Sequence, residues 1–315
     1  MNEPALKVLK LCDNHGFVGS YFRDISSDLK KIALSVIKVL IVGEPGTGKE
    51  LIARAIHKIS GNSGSFVVVN CSAIPENLFE SELFGHTKGA FTGATEAAIG
   101  KVEMAKDGTL FLDEIGDLPV SQQPKLLRMI EYGEVQPVGE KEIRIVRTRI
   151  ISATNKNLED LVKKKMFRQD LHDRLVGHVF EIAPLRERLR DLPALIEYFL
   201  NFFCDFYGKD KGDMAKMVAN LLKQNMGNYC WPGNVRELRN FIEKCVVLDR
   251  SSELEENYHE GGFYVRSLDY KVETKRLLAY LANEALKQTK GNKTKAIELL
   301  NISYPTLLTI LNRKG

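Results

Sequence analysis

One stretch near the amino end constrains this chain more than any other. Four apolar residues, VLIV at 39–42, run directly into GEPGTGKE at 43–50, and Leu51, Ile52, Ala55, Ile56 and Ile59 follow at helical spacing. The order reads as strand, glycine-rich loop and amphipathic helix, in the G-x-x-x-x-G-K frame of a phosphate-binding loop. Gly43, Gly46 and Gly48 let backbone amides turn inward onto an anion. Lys49 supplies a point charge for the outer phosphates, and the helix beginning near Glu50 adds its positive end. Glu44, Pro45 and Thr47 complete the loop. Pro45 lacks an N–H but stands where the residue only shapes the turn. Glu50 occupies the position at which Ser or Thr would ordinarily hold magnesium.

Three further apolar runs end in polar residues: FVVV at 66–69 ends at Asn70, TLFLDE at 109–114 ends in two carboxylates, and TRIISATN at 148–155 ends at Thr154 and Asn155. Strands alternating with helices predict an α/β fold, a parallel sheet with helices on both faces. In such a sheet the ligand sits at the carboxyl ends of the strands, where these residues fall. With Glu50 in the loop, holding Mg2+ passes to Asp113, waters completing the shell. Glu114 is the natural base for polarising an attacking water. Read alone, the Asp113–Glu114 pair is a surface strand end; preceded by an apolar run and a phosphate loop, it reads as the second half of an ATP site.

The strand pattern stops after about residue 184. Residues 188–250 read as helical, with LPALIEYFLNFF and VRELRNFIEKCVVL as the periodic stretches. SSELEENYHEGG at 251–262 holds four glutamates and a Gly-Gly, a linker composition. Charge is unevenly spread. Residues 286–315 carry six basic residues against Glu298 alone, a net +5, while the whole 315-residue chain is only +4. That tail points to a polyanion partner, or to a solvated face. The five cysteines, Cys12, Cys71, Cys204, Cys230 and Cys245, form no C-x-x-C pair, and buried reduced thiols are expected. No run of about 18 apolar residues and no signal-peptide core occurs, so the chain is expected in the cytosol, without a membrane span.

Five segments together make a specific resemblance. GEPGTGKE, ELFGHTKGAFTGA (82–94), GTLFLDEIGDLP (108–119), FRQDLHDRL (167–175) and WPGNVRELRN (231–240) resemble the sigma-54-dependent activators, the bacterial enhancer-binding proteins of the AAA+ class. GAFTGA carries the identification. The resemblance implies that the loop of Gly89, Ala90, Phe91, Thr92, Gly93 and Ala94 contacts sigma-54 RNA polymerase holoenzyme. From its residues alone it is a mobile loop with one apolar anchor. Arg168 and Arg174 match arginine fingers that reach a neighbouring subunit's phosphates, which implies self-association up to a hexameric ring. The alternative is a helix with ordinary Arg168–Asp170 and Asp173–Arg174 pairs. Arg236 matches the sensor of the helical lid, Thr154 and Asn155 the first sensor, and Asn70 the residue that holds the catalytic glutamate away from water. Between Gly19 and Val39 the chain is about two residues shorter than the family pattern, in the segment that borders adenine.

At the carboxyl end, 272–289 reads as one helix, Gly291-Asn292 as a break, KTKAIELL (293–300) as a second helix, and Ser303 as the cap of a last one with Pro305 in its first turn. The stretch resembles the Fis-type helix-turn-helix of the same family, which implies double-stranded enhancer DNA as a partner. Ser303, Tyr304, Thr306 and Thr309 are candidates for base or phosphate contact, and Lys293, Lys295, Arg313 and Lys314 for phosphates. The alternative is a helical oligomerisation domain. The expected organisation is an extension (1–16), an α/β ATPase part (17–184), a helical lid (185–250), a linker (251–269) and a DNA-binding domain (270–315). About 16 residues precede the family match, which implies regulation by a separate protein or a piece of a longer chain. Two other functions stay open: a DNA-binding regulator acting without sigma-54, and an AAA+ remodeller of another target.

Overall fold

The computed structural model describes residues 19–225, 229–248, 282, 285–286, 288–289 and 292–300. Two compact units are present, one of Met1–Asn220 with Trp231–Asp249 and one of Leu221–Cys230 with Arg250–Gly315. The first opens with α1 (Ser20–Ala33), β1 (Val39–Gly43), α2 (Lys49–Ser60), β2 (Phe66–Asn70) and α3 (Glu76–Phe84). A short hairpin of β3 (Gly85–His86) and β4 (Ala98–Ile99) follows, then α4 (Lys101–Met104), β5 (Thr109–Asp113) and α5 (Gln123–Tyr132). A second hairpin, β6 (Glu134–Val135) and β7 (Arg144–Ile145), precedes β8 (Arg149–Thr154), α6 (Leu158–Lys163), α7 (Gln169–Leu175) and β9 (His178–Ile182). Helices α8 (Leu192–Tyr207), α9 (Lys211–Asn225) and α10 (Asn234–Leu248) complete the order up to α11 (Lys293–Leu300), which lies in the second unit.

The main sheet has strand order β2-β5-β8-β1-β9, with every pairing parallel. Alternation along each strand divides the core into two layers, as a sheet covered on both faces requires. Val39, Ile41, Phe111, Ile151, Ala153, Phe180 and Ile182 face the layer filled by Phe22, Leu29 and Ala33 of α1 and Ile52, Ala53 and Ile56 of α2. Leu40, Val67, Val69, Leu110, Leu112 and Ile150 face the other, closed by Phe79 and Leu83 of α3, Leu126 and Met129 of α5, and Leu171 and Leu175 of α7. All four strands read from the sequence are present within a residue or two. The fifth, β9, lies at the sheet edge beside β1, and its polar His178 and Glu181 break the apolar run that marked the others.

In the lid, α8 packs on α10. Phe199, Phe203, Leu238, Phe241 and Ile242 are buried there, and fully buried Trp231 meets Phe241 edge-on at 5.9 Å. The second unit shows α11 capped by Asn292, whose Oδ1 accepts from Lys295 N at 3.2 Å. The breaker of the sequence is thus the helix cap. Lys293 and Lys295 are exposed on this helix. Ser303, Tyr304, Pro305, Thr306, Thr309, Arg313 and Lys314, the linker and most of the 272–289 helix lie outside the described residues. Among the described residues, no helix is long and apolar enough to cross a membrane. Cys71, Cys204, Cys230 and Cys245 are buried free thiols, and burial pushes Cys71 up to about 12.

Candidate functional site

The loop after β1 bends through two left-handed glycines, Gly46 (φ 78°) and Gly48 (φ 106°), the second capping α2. A side chain at Gly46 has no room, because its Cβ would lie 2.3 Å from the Gly233 carbonyl oxygen. Lys49 is 6% exposed and donates from Nζ to Gly43 O at 3.0 Å, with Glu114 Oε1 at 3.3 Å. The register of β2 against β5 sets Asn70 opposite Asp113, so both polar strand ends reach the carboxyl edge together. Asp113 Oδ1 accepts from Glu114 N at 3.0 Å, and Glu114 itself sits in the left-handed region at φ 50°. That turn swings its carboxylate back toward Lys49 and toward the Asn155 amide, 3.3 Å from Oε2. Burial, then the neighbouring Glu114 charge, raise the Asp113 carboxyl above its ordinary value.

These residues line a cavity of about 640 Å³, within the usual range for small-molecule sites. Pro45, Gly46, Thr47, Gly48, Lys49, Glu50, Asn70, Asp113 and Glu114 form its polar end. Phe22, Leu195, Tyr198 and Phe199 form an aromatic and apolar end, and Arg236 closes the side from α10. The whole lining suits a nucleotide, with a base at one end and phosphates at the other. A divalent cation also fits the donor set. Asp113 is a half-buried carboxyl whose ionised form is disfavoured by burial and by Glu114, with Lys49 offsetting only part. Among the described residues no three side chains form a ready metal cage. A magnesium ion here would therefore draw its remaining ligands from phosphate and water, its usual habit. Glu50 is held by Arg54 at 2.6 Å.

Several expected residues arrive differently. Thr154 is fully buried and its Oγ1 accepts from Lys156 N at 3.0 Å, so of the two residues expected as a sensor only Asn155, through its backbone amide, reaches the Glu114 carboxylate. Asn70 Oδ1 accepts from Ser72 N and Oγ at 3.0 and 2.7 Å and makes no hydrogen bond to Glu114. Arg168 and Arg174 do not line the cavity of their own chain. Arg168 chelates Asp170 at 2.9 and 2.6 Å, as the ordinary-pair reading expects. Arg174 instead meets Glu131 of α5 at 2.5 Å. Its expected partner Asp173 is adjacent in sequence, and adjacent helical side chains point about 100° apart.

The segment Gly89–Ala94 crowns the β3–β4 hairpin. Gly89 (φ 81°) and Gly93 (φ 103°) have open space around them, and the Gly89 amide donates to Ala94 O at 2.8 Å across the tip. Phe91 is 39% exposed and stands edge-on to His86, ring centroids 5.0 Å apart, while Ala94 is buried. The loop of the second hairpin braces the first: Thr87 N donates to Val138 O at 3.0 Å, and Gly139 leaves no room for a Cβ beside Thr87 and Ala90. This brace was not legible in the sequence. Nor were Arg186, Arg188 and Asn234, which hold the nucleotide loop from the lid side, or Arg239, which lines the cavity. The only signal was their density in PLRERLRD and WPGNVRELRN.

Comparison with known proteins agrees with this architecture. The family described as "Sigma-54 interaction domain" matches residues 19–182, and "AAA+ ATPase lid domain" matches 186–259. The chain is 43% identical over 307 residues to the regulatory protein AtoC of Escherichia coli (strain K12), covering 93% of this chain and 66% of that protein. It is 41% identical over 308 residues to the transcriptional regulatory protein ZraR of Klebsiella oxytoca, covering 95% and 69%. The crystal structure of NtrX from Brucella abortus in complex with ATP superposes with a TM-score of 0.65 at 29% identity, covering 95% of this chain and 69% of that one. The chain spans about two thirds of the length of these curated relatives. On the domain match and the relatives together, the chain belongs to the sigma-54-dependent transcriptional regulators built on the AAA+ fold.

Proposed function

We propose that this chain binds and hydrolyses ATP in an oligomeric ring and uses the cycle to drive the Gly89–Ala94 loop against sigma-54 polymerase on closed promoter DNA. The observation that carries the reading is the placement of that loop, exposed at the tip of a hairpin inserted between β2 and β5, whose ends bear Asn70 and Asp113.

The geometry supports this division of labour. Inward amides of the loop at Gly46–Lys49 and the Lys49 ammonium bind the phosphates. The aromatic end of the cavity holds the base and keeps water out. Asp113 would hold magnesium, which supplies charge neutralisation on the phosphates when bound. Glu114, freed from Lys49 once phosphates replace it, orients and deprotonates the attacking water. Arg168 and Arg174, lying away from their own cavity, serve a neighbouring subunit, and this makes the site composite. Arg236 reads the outer phosphate from the lid. The carboxyl-terminal unit, with Lys293 and Lys295 on α11, binds enhancer DNA electrostatically.

Transcription from a sigma-54 promoter with purified holoenzyme tests this. The wild-type chain opens the promoter only with ATP. Lys49→Ala neither binds ATP nor opens it. Thr92→Ala hydrolyses ATP but leaves the promoter closed. Normal opening by Thr92→Ala removes the loop from the mechanism, and unchanged ATP affinity in Lys49→Ala removes the site.

A further inference from the structure

Four consecutive residues of the nucleotide loop are held from outside by the lid. Glu44 accepts from both terminal nitrogens of Arg186, at 2.8 and 2.5 Å, and from Asn234 Nδ2 at 3.1 Å. The same Asn234 nitrogen donates to Pro45 O at 3.1 Å. Gly46 O accepts from Arg236 N at 3.3 Å, and Thr47 O from Arg188 Nη2 at 3.0 Å. Backbone amides that point inward at phosphates leave their carbonyls pointing outward, and buried carbonyls need donors. Here the lid supplies them.

Arg186 and Arg188 lie between β9 and α8, while Asn234 and Arg236 open α10. Asn234 is fully buried in the left-handed region (φ 55°), and its Oδ1 accepts from Leu185 N at 2.8 Å. One side chain therefore joins both ends of the lid to the loop. Glu44 does not line the cavity. Its carboxylate faces the lid, where the Arg186 hydrogen bonds hold it below the usual carboxylate range.

Resting on the reading of the cavity as an ATP site, we infer that Glu44 is a positioning residue that latches the lid to the nucleotide loop and so sets Arg236 against the outermost phosphate. Arg236 follows Asn234 by two residues on the first turn of α10, so the latch and the phosphate reader move as one piece. Ordinary loop shaping would make Glu44 matter equally to every nucleotide. The latch makes it matter to the phosphate that Arg236 touches.

Equilibrium binding of fluorescent ATP and ADP analogues to the full chain separates the two. Glu44→Gln should weaken the ATP analogue about tenfold, the scale of one charge-assisted hydrogen bond, and the ADP analogue far less. Arg186→Gln, which attacks the latch from the lid, should give the same signature, and Glu44→Asp should restore part of the loss. Glu44→Gln combined with Arg236→Gln should bind ATP no worse than Arg236→Gln alone. Equal losses for ATP and ADP, or additive losses in the double variant, overturn the latch while leaving the site intact. A wild-type chain that binds neither analogue overturns the site and the latch with it.

Discussion

Gly46→Ala and Gly61→Ala form a matched pair that isolates the contact between the nucleotide loop and the lid. Both glycines sit in the left-handed region, at φ 78° and 71°. A left-handed alanine costs roughly 1–2 kcal/mol, or about 2–8 °C in Tm for a domain of this size. At Gly61, past the far end of α2, a Cβ meets nothing within 4 Å, so the conformational cost is the whole effect. At Gly46 the Cβ falls 2.3 Å from Gly233 O, inside the closest approach real Cβ atoms make, and 3.1 Å from Arg236 Cβ. A backbone oxygen has no rotamer to escape into, so the Gly233–Arg236 segment must shift. Thermal unfolding with and without ATP is the assay. A ligand at a hundredfold its Kd stabilises by about 2.7 kcal/mol. Gly61→Ala should keep the full ATP-induced rise in Tm, and Gly46→Ala should lose most of it and melt lower without ATP. A Gly46→Ala chain with the same Tm as Gly61→Ala and a full ATP response refutes the reasoning.

Arg168→Ala and Lys49→Ala should each abolish ATPase activity alone, yet an equimolar mixture should recover activity at about a quarter of the interfaces if subunits assemble at random in a closed ring; no recovery places the arginine in its own chain's site. Asp113→Asn should raise nucleotide-free Tm at pH 7, because a carboxyl with a raised folded pKa stabilises the fold only while protonated; the gain should vanish as pH falls through 3.8, and a gain that persists in acid removes the electrostatic cause. Deleting 270–315 should eliminate footprints on enhancer DNA while ATPase activity survives at high protein concentration; an undiminished footprint places DNA binding elsewhere.

Residues whose role depends on a strand end were legible in the sequence. The runs ending at Asn70, Asp113 and Thr154 announced both their strands and their edge, because a buried parallel strand is a continuous apolar run. Strand β9 escaped because an edge strand tolerates His178 and Glu181. The lid contacts escaped for a different reason. Glu44 meets Arg186 and Asn234 across 142 and 190 residues of chain, and no periodicity encodes such a meeting. Asn234 also reads locally as a turn residue, and its side-chain partners Leu185, Glu44 and Pro45 are all distant in sequence. The Arg174–Glu131 pair shows the same limit, since it joins α7 to α5 and not neighbours in sequence.

The hairpin bearing Phe91 leaves the domain after β2 and returns before β5, and those strands are hydrogen-bonded neighbours along their full length. Its stem is a two-stranded ladder of its own, joined to the main sheet through α3 and α4, while a side chain added at Gly89 or Gly93 of its tip would meet nothing within 4 Å. Reach and anchorage are set by separate residues. A longer or shorter tip changes how far the protein extends toward a partner and leaves the sheet untouched. One residue added to the stem shifts the Gly85–Ile99 and His86–Ala98 pairing that sets which way the tip faces. Variation in length can accumulate at the tip without touching the ATP site.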